Sequence, residues 1–183
     1  MSGIYDVPVI ETERLRLRGR TLDDFPFIRD MWGDPEVVRH ISGAPVPEET
    51  SWTKFLRMLG HWPALGFGYW IVEERDTGRT LGETGFGEFR REIEPRLDGM
   101  PEIGWAYAPV AHGKGYATEA ARAAVAWGDA HFGGKRMSCL INVENAPSIR
   151  VAEKCGFMIG ERTNYHGDEV VILYRDPSLN ASL

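Results

Sequence analysis

The sequence predicts an α/β domain built on a mixed sheet, and three observations point there. Hydrophobic periodicity switches back and forth between two residues and about 3.6. Strand-like and helix-like segments interleave along the chain, with no internal repeat and no polar linker between them. The chain has 183 residues, 43% of them hydrophobic, which is enough for one sizeable core. Residues 1–183 are therefore read as a single domain, with its core over about 12–174.

The elements follow in order. Leu15 and Leu17 alternate with Arg14, Arg16 and Arg18, a strand with one buried face. Thr21 ahead of Asp23 and Asp24 starts a helix, because a hydroxyl caps the first amides and early acids suit the helix dipole. That helix turns Phe25, Ile28, Met31 and Trp32 inward and stops near Asp34-Pro35. A second helix covers Glu48 to Trp62, with Trp52, Phe55, Leu56 and Leu59 on one face and Pro45, Pro47 and Pro63 as bounds. "FGYWIVEE" (Phe67–Glu74), the turn Asp76-Thr77-Gly78 and "LGETGFGEF" (Leu81–Phe89) form a hairpin. "EIEPRLDGMP" is a loop, and Glu102–Ala108 is the next strand. A helix from Gly115 to Phe132, a strand Arg136–Asn142 and a short helix "APSIRVAEKCG" come next. "FMIGER" and "VVILYR" close the chain as strands, about seven in all.

Charge and composition exclude several classes. A net charge of −6 and a pI near 5.4 lack the basic face of a nucleic-acid binder. No apolar run reaches membrane-spanning length, and the first twenty residues lack the apolar stretch of a secretion signal, so a cytoplasmic protein without a membrane partner is expected. Cys139 and Cys155 sit in apolar segments and read as small buried side chains; no Cys/His spacing suits a metal.

Gly113-Lys114-Gly115, just before the long helix, invites a comparison with anion-binding loops. A P-loop would need glycine where Ala108 stands and a hydroxyl where Gly115 stands. The dinucleotide fingerprint would need Gly or Ala in place of Thr118. The remaining template is a strand, a short loop and a helix whose unpaired first amides receive a phosphate, with glycines removing the Cβ obstruction. A plain glycine turn explains the loop equally well. The small-residue face of the helix (Ala117, Ala120, Ala121, Ala124, Gly128) adds a reason for close docking on a sheet.

"EIGWAYAPVAHGKGYATEAARAAVAWG" followed by "NVENAPSIRVAEKCGF" resembles the GNAT superfamily of acetyl-CoA-dependent N-acetyltransferases, and "ETERLRLR" resembles the opening of its RimJ/RimL-like branch of ribosomal-protein N-terminal acetyltransferases. The resemblance covers roughly Thr12 to Tyr174. It implies the acyl-CoA N-acyltransferase fold, with Glu102–Ala108 and Arg136–Asn142 splayed apart. It also implies acetyl-CoA as cosubstrate, its pyrophosphate on the loop His112, Gly113, Lys114, Gly115, Tyr116, Ala117 and Thr118. The pantetheine arm would lie along Trp105, Ala106 and Tyr107, with Asn145 nearby. The partner would be an amine, on a protein N-terminus or a small molecule, and the protein a monomer or homodimer.

Two positions depart from the family pattern: His112 replaces Gln or Arg, and Ala152 stands where many members carry a thiolate-protonating tyrosine. Ser148, or water held by Asn145, is the substitute proton source; an ordinary helix start and an N-cap explain the same residues. Glu102, expected at the mouth of the splayed pair, is the candidate base or else a solvated strand-end carboxylate. Glu83 and Glu88 are weaker candidates for lining the acceptor site. The absent tyrosine keeps a second reading open, a non-catalytic CoA-binding sensor or interaction module.

Overall fold

The computed structural model describes residues 6–177, so the expected span of 1–183 extends outside the described residues at both ends. Eight strands form one sheet: β1 (Ile10–Glu11), β2 (Leu15–Arg18), β3 (Tyr69–Glu74), β4 (Thr80–Gly87), β5 (Glu102–Tyr107), β6 (Met137–Asn142), β7 (Met158–Tyr165) and β8 (Asp168–Arg175). Their order is β1-β2-β3-β4-β5-β6-β8-β7. All neighbours are antiparallel except β5 and β6. The helices are α1 (Phe25–Trp32), α2 (Pro35–Val38), α3 (Glu48–Leu65), α4 (Tyr116–His131) and α5 (Ala146–Lys154).

The expected interleaving holds, with two additions and one longer helix. β1 is only two residues long and too short to carry a pattern. α2 begins where α1 was expected simply to stop: Asp34 caps it by accepting from the Glu36 amide at 2.8 Å, and Pro35 fills the first helical position. α3 runs through Pro63 to Leu65 and ends on Gly66, whose φ of 78° gives a left-handed cap. A proline there costs one backbone bond, and the turn is still closed by the Gly66 amide donating to the Trp62 carbonyl at 2.9 Å.

The two sheet faces carry different cores. On one, α4 packs against β2, β4 and β5. Ala120, Ala121 and Ala124 are fully buried, and a Cβ on Gly128 would lie 2.9 Å from the Met137 and Phe132 side chains and 3.0 Å from Phe86. The small-residue face is thus what lets α4 lie close to the sheet. On the other face, Ile28, Met31 and Phe55 of α1 and α3 pack against Ile71 and Ala106. The loop between β4 and β5 is irregular as expected, yet it packs Ile93 and Leu97 against Val170, Ile172 and Tyr174.

Candidate active site

β5 and β6 are held together at one point, Glu102 opposite Ser138, with the Ser138 amide donating to the Pro101 carbonyl at 3.0 Å. Beyond it the strands diverge. β4 pairs along the other edge of β5 through Tyr107, but Ile103–Tyr107 have no register partner on β6. The result is a wedge whose wall is unpaired strand main chain. Glu102 lies at the closed end of this wedge rather than at its mouth, because the parallel pairing starts there and fails toward the strand C-termini.

The wedge opens toward the start of α4. Gly113 and Gly115 have φ of 71° and 79°, a region that side-chain-bearing residues rarely adopt. Gly115 is the residue before the first helical turn, so the chain enters the helix from a left-handed step. His112 folds back on the strand it follows: its Nε2 lies 2.8 Å from the Tyr107 carbonyl, which can only accept, so Nε2 carries the proton. Gly113, Lys114 and Gly115 are exposed, while Tyr116 is buried and donates its hydroxyl to Glu74 at 2.8 Å.

A second device fixes this loop. Glu119, in the first turn of α4, accepts from the Thr12 hydroxyl (2.6 Å), the Arg14 amide (2.9 Å) and Arg14 Nε (2.7 Å), while Arg14 Nη1 donates to the Lys114 carbonyl at 3.0 Å. Burial pushes the Glu119 carboxyl up, but these bonds and the Arg14 charge outweigh it and leave it below its ordinary value. The Lys114 carbonyl is thereby turned toward Arg14, and the Glu119 charge is matched by a cation rather than left beside the helix N-terminus.

Around the wedge lies a cleft of about 590 Å³. Trp105 and Tyr107 pack on the α4 side of the sheet, and Trp105 Nε1 donates to Ser148 Oγ at 3.4 Å. Asn145 caps α5 by accepting from the Ser148 amide at 3.2 Å. Ala106 faces the opposite side, toward α1 and α3. Glu83, in register between Ile71 and Ala106, shares that face, where it is paired with Arg20 and accepts from Trp32 Nε1 at 2.9 Å. Glu102 is bound at both oxygens by Arg91, Nε at 2.8 Å and Nη2 at 2.7 Å. The carboxylate at position 102 is therefore held in a buried ion pair rather than solvated at a strand end. Burial holds the Tyr69 hydroxyl far above a phenol's ordinary pKa, and the charges of Glu102 and Glu83 push the same way.

The structure brings Glu102, Trp105, Asn145 and Ser148 to one cleft and the 112–118 loop to its open end. Glu83 also lines the cleft, whereas Glu88 does not. Sequence reasoning missed Arg20, Lys54 and Arg91 on the cleft wall and the Arg14–Glu119 clamp on the loop. Only "ETERLRLR" carried a signal for the clamp, and it read as strand alternation. Among the described residues, no group of three or more His, Cys, Asp or Glu is placed to hold a metal, and no helix is long and apolar enough to cross a membrane.

A mixed sheet split between two parallel strands, with a glycine-bounded helix start at the open end, is the arrangement that the resemblance to acyl-CoA N-acyltransferases implied. The comparisons narrow it. Residues 14–158 match the family described as acetyltransferase (GNAT) domain. YkkB of Bacillus subtilis (strain 168) is 33% identical over 173 residues, covering 92% of this chain and 95% of YkkB. A solved GNAT-family acetyltransferase from Bordetella pertussis superposes with a TM-score of 0.81 at 29% identity, over 92% of this chain and 99% of that one. At 15% identity, RimL, the ribosomal L7/L12 α-N-protein acetyltransferase, shares the fold with a TM-score of 0.73 over 92% of this chain and 98% of its own. The chain belongs to the GNAT acetyltransferase family and is an N-acetyltransferase, with acetyl-CoA as its acetyl donor.

Proposed function

We propose that this protein acetylates α-amino groups, on a protein N-terminus or a small molecule, in preference to lysine side chains. The observation that carries this reading is the wedge of unpaired β5 main chain whose neighbouring carboxylates, Glu83 and Glu102, are both engaged by arginines. An α-amino group titrates near 7.7–8.0 and is partly neutral at physiological pH, whereas a lysine amine near 10.4 needs a dedicated base.

The residues present fit the donor. The amides of Gly113–Thr118 would hold its pyrophosphate, the left-handed glycines turning them outward and the helix dipole favouring negative charge. Trp105, Ala106 and Tyr107 would offer main-chain partners to its pantetheine arm. When bound, acetyl-CoA supplies an acetyl group activated as a thioester. Ser148 keeps a proton on Oγ beside the wedge, oriented by Trp105 and held by the Asn145 cap, and serves as the acid that many relatives place on a tyrosine. Glu102, with Arg91 on both oxygens, acts by fixing charge at the closed end and by ordering water that relays the amine's proton. Similarity to RimL supports N-terminal acceptors through the fold alone, and one fold hosts many acceptors.

The test is a peptide with a free N-terminus and an internal lysine, incubated with acetyl-CoA, digested and mapped. Acetylation at the N-terminus is expected. Modification chiefly at lysine would overturn the preference and require a base elsewhere in the cleft.

A further inference from the structure

On the α3 side of the cleft two cations make no ion pair among the described residues, unlike its other cations. Lys54 and Arg57 both line the cleft, and at three residues apart they share one face of the helix. The positions one turn from either are Thr50, Ser51, Thr53, Met58, Gly60 and His61, none of them a carboxylate. Instead each cation lies over an aromatic ring, Lys54 Nζ 5.1 Å from the Trp32 centroid and Arg57 Cζ 5.5 Å from that of Phe89. Arg20 and Arg91, by contrast, are matched one to one by Glu83 and Glu102. Burial depresses the half-buried Lys54 ammonium and the charge of Arg57 depresses it further, while the charge of Glu83 works upward without outweighing them.

The location matters as much as the charge. Trp32, whose ring carries Lys54, donates to Glu83, and Glu83 sits in register with Ala106 on the wedge strand. Lys54 is thus linked through Trp32 and Glu83 to β4, the neighbour of the strand over which an acceptor amine would lie. Counting the charged side chains that line the cleft, Arg20, Lys54, Arg57 and Arg91 face Glu83, Glu102 and Asp168, a surplus of one cation on a chain whose net charge is −6. A local reversal of sign in a cleft attracts and orients anions. A polyamine acceptor would meet repulsion from the same pair.

We propose that the acceptor carries an acidic group close to its amine, and that Lys54 and Arg57 recognise this group while the amine lies over β5; this rests on the acetyltransfer reading above. The chemistry is that of an amino acid or another small amino acid-like anion. Arg57 offers a planar fork suited to a carboxylate, and Lys54 a desolvated point charge over Trp32.

The experiment uses the purified full chain, acetyl-CoA and matched acceptors: α-amino acids against their carboxamides, phosphoethanolamine against ethanolamine, and spermidine. The acid member should be preferred in kcat/KM by about tenfold or more, the scale of a charge-assisted hydrogen bond. The amino-acid and phosphate arms identify which anion is read. Lys54→Met and Arg57→Gln should each shrink the ratio several-fold, mainly through KM, and Lys54→Arg should keep it. Equal use of acid and amide, spermidine as the best acceptor, or a ratio that survives in the double variant would overturn the inference. Binding of N-acetyl amino acids and their amides to the CoA-saturated protein gives a readout without turnover. Acid-selective binding that the substitutions abolish, with no transfer to any amine, would overturn the acetyltransfer reading and leave the anion site standing. Binding without selectivity would remove the anion site itself.

Discussion

On the proposed donor site, Gly115 is the residue where a single change should matter most. At φ 79° a β-branched side chain is strained by about 1–3 kcal/mol wherever its atoms point. A Cβ there would also sit 3.5 Å from Arg14 Nη2, against the clamp on Glu119. Gly115→Val should weaken CoA binding by tenfold or more in titration calorimetry; parental affinity would show that the loop does not hold the donor. Ser148→Ala should reduce turnover more than acetyl-CoA affinity, since a proton donor acts in the transition state. An unchanged rate with chemistry limiting would leave Asn145-held water as the proton source. Arg91→Met strands Glu102, whose side chain is 8% exposed, and should cost about 3–5 kcal/mol in urea unfolding. A cost near zero would show that the pair is not what holds the closed end. The glycines were legible because a positive φ requires them. The Arg91–Glu102 pair was not, because a loop with no pattern brings the two together.

At the scale of elements, α4 is held at both ends of its length by means that differ in legibility. Its small face could be read from the alanine spacing, and Gly128 lies against the Met137 and Phe86 side chains of the sheet. Gly128→Leu should destabilise by about 1–3 kcal/mol through overpacking, measured by thermal or urea unfolding. Its N-terminus is fixed by the turn between β1 and β2, where Thr12 and Arg14 bind Glu119, a contact across more than a hundred residues. Such a contact leaves no periodic trace in either segment. Acid should loosen it. Bonds from Thr77 and Tyr116 hold Glu74 below its ordinary value; for Glu119 burial works upward, but the Thr12 and Arg14 bonds win. A carboxylate depressed in the folded state contributes stability above its unfolded pKa, about 4.3, and loses it as pH falls through the folded value. Unfolding followed from pH 6 down to 3 should therefore show stability falling below about pH 4.5, less steeply in Glu119→Gln. An identical slope in that variant would exclude the clamp as the cause.

Over the whole molecule, charge and topology set what the site can accept. A body of net charge −6 with a cation-rich cleft should show acceptor KM values that rise with salt for anionic amines, since screening weakens attraction beyond about 10 Å at 0.1 M. The sequence by itself determined the α/β class, seven of the eight strands, the small-residue helix and the glycine loop, because each depends on local spacing: alternation, helical periodicity, or a backbone angle only glycine tolerates. It misplaced the end of α3 and passed over α2, where a proline signals a stop and a start equally well. Only the tertiary structure decided that β5 and β6 part after a single pairing, that Glu102 lies at the closed end beneath Arg91, and that Lys54 and Arg57 line the cleft without an ion pair among the described residues. Those facts depend on which strands become neighbours and where loops cross them. Pairing between distant segments is chosen by the packing of the whole core, and no short stretch of chain records that choice.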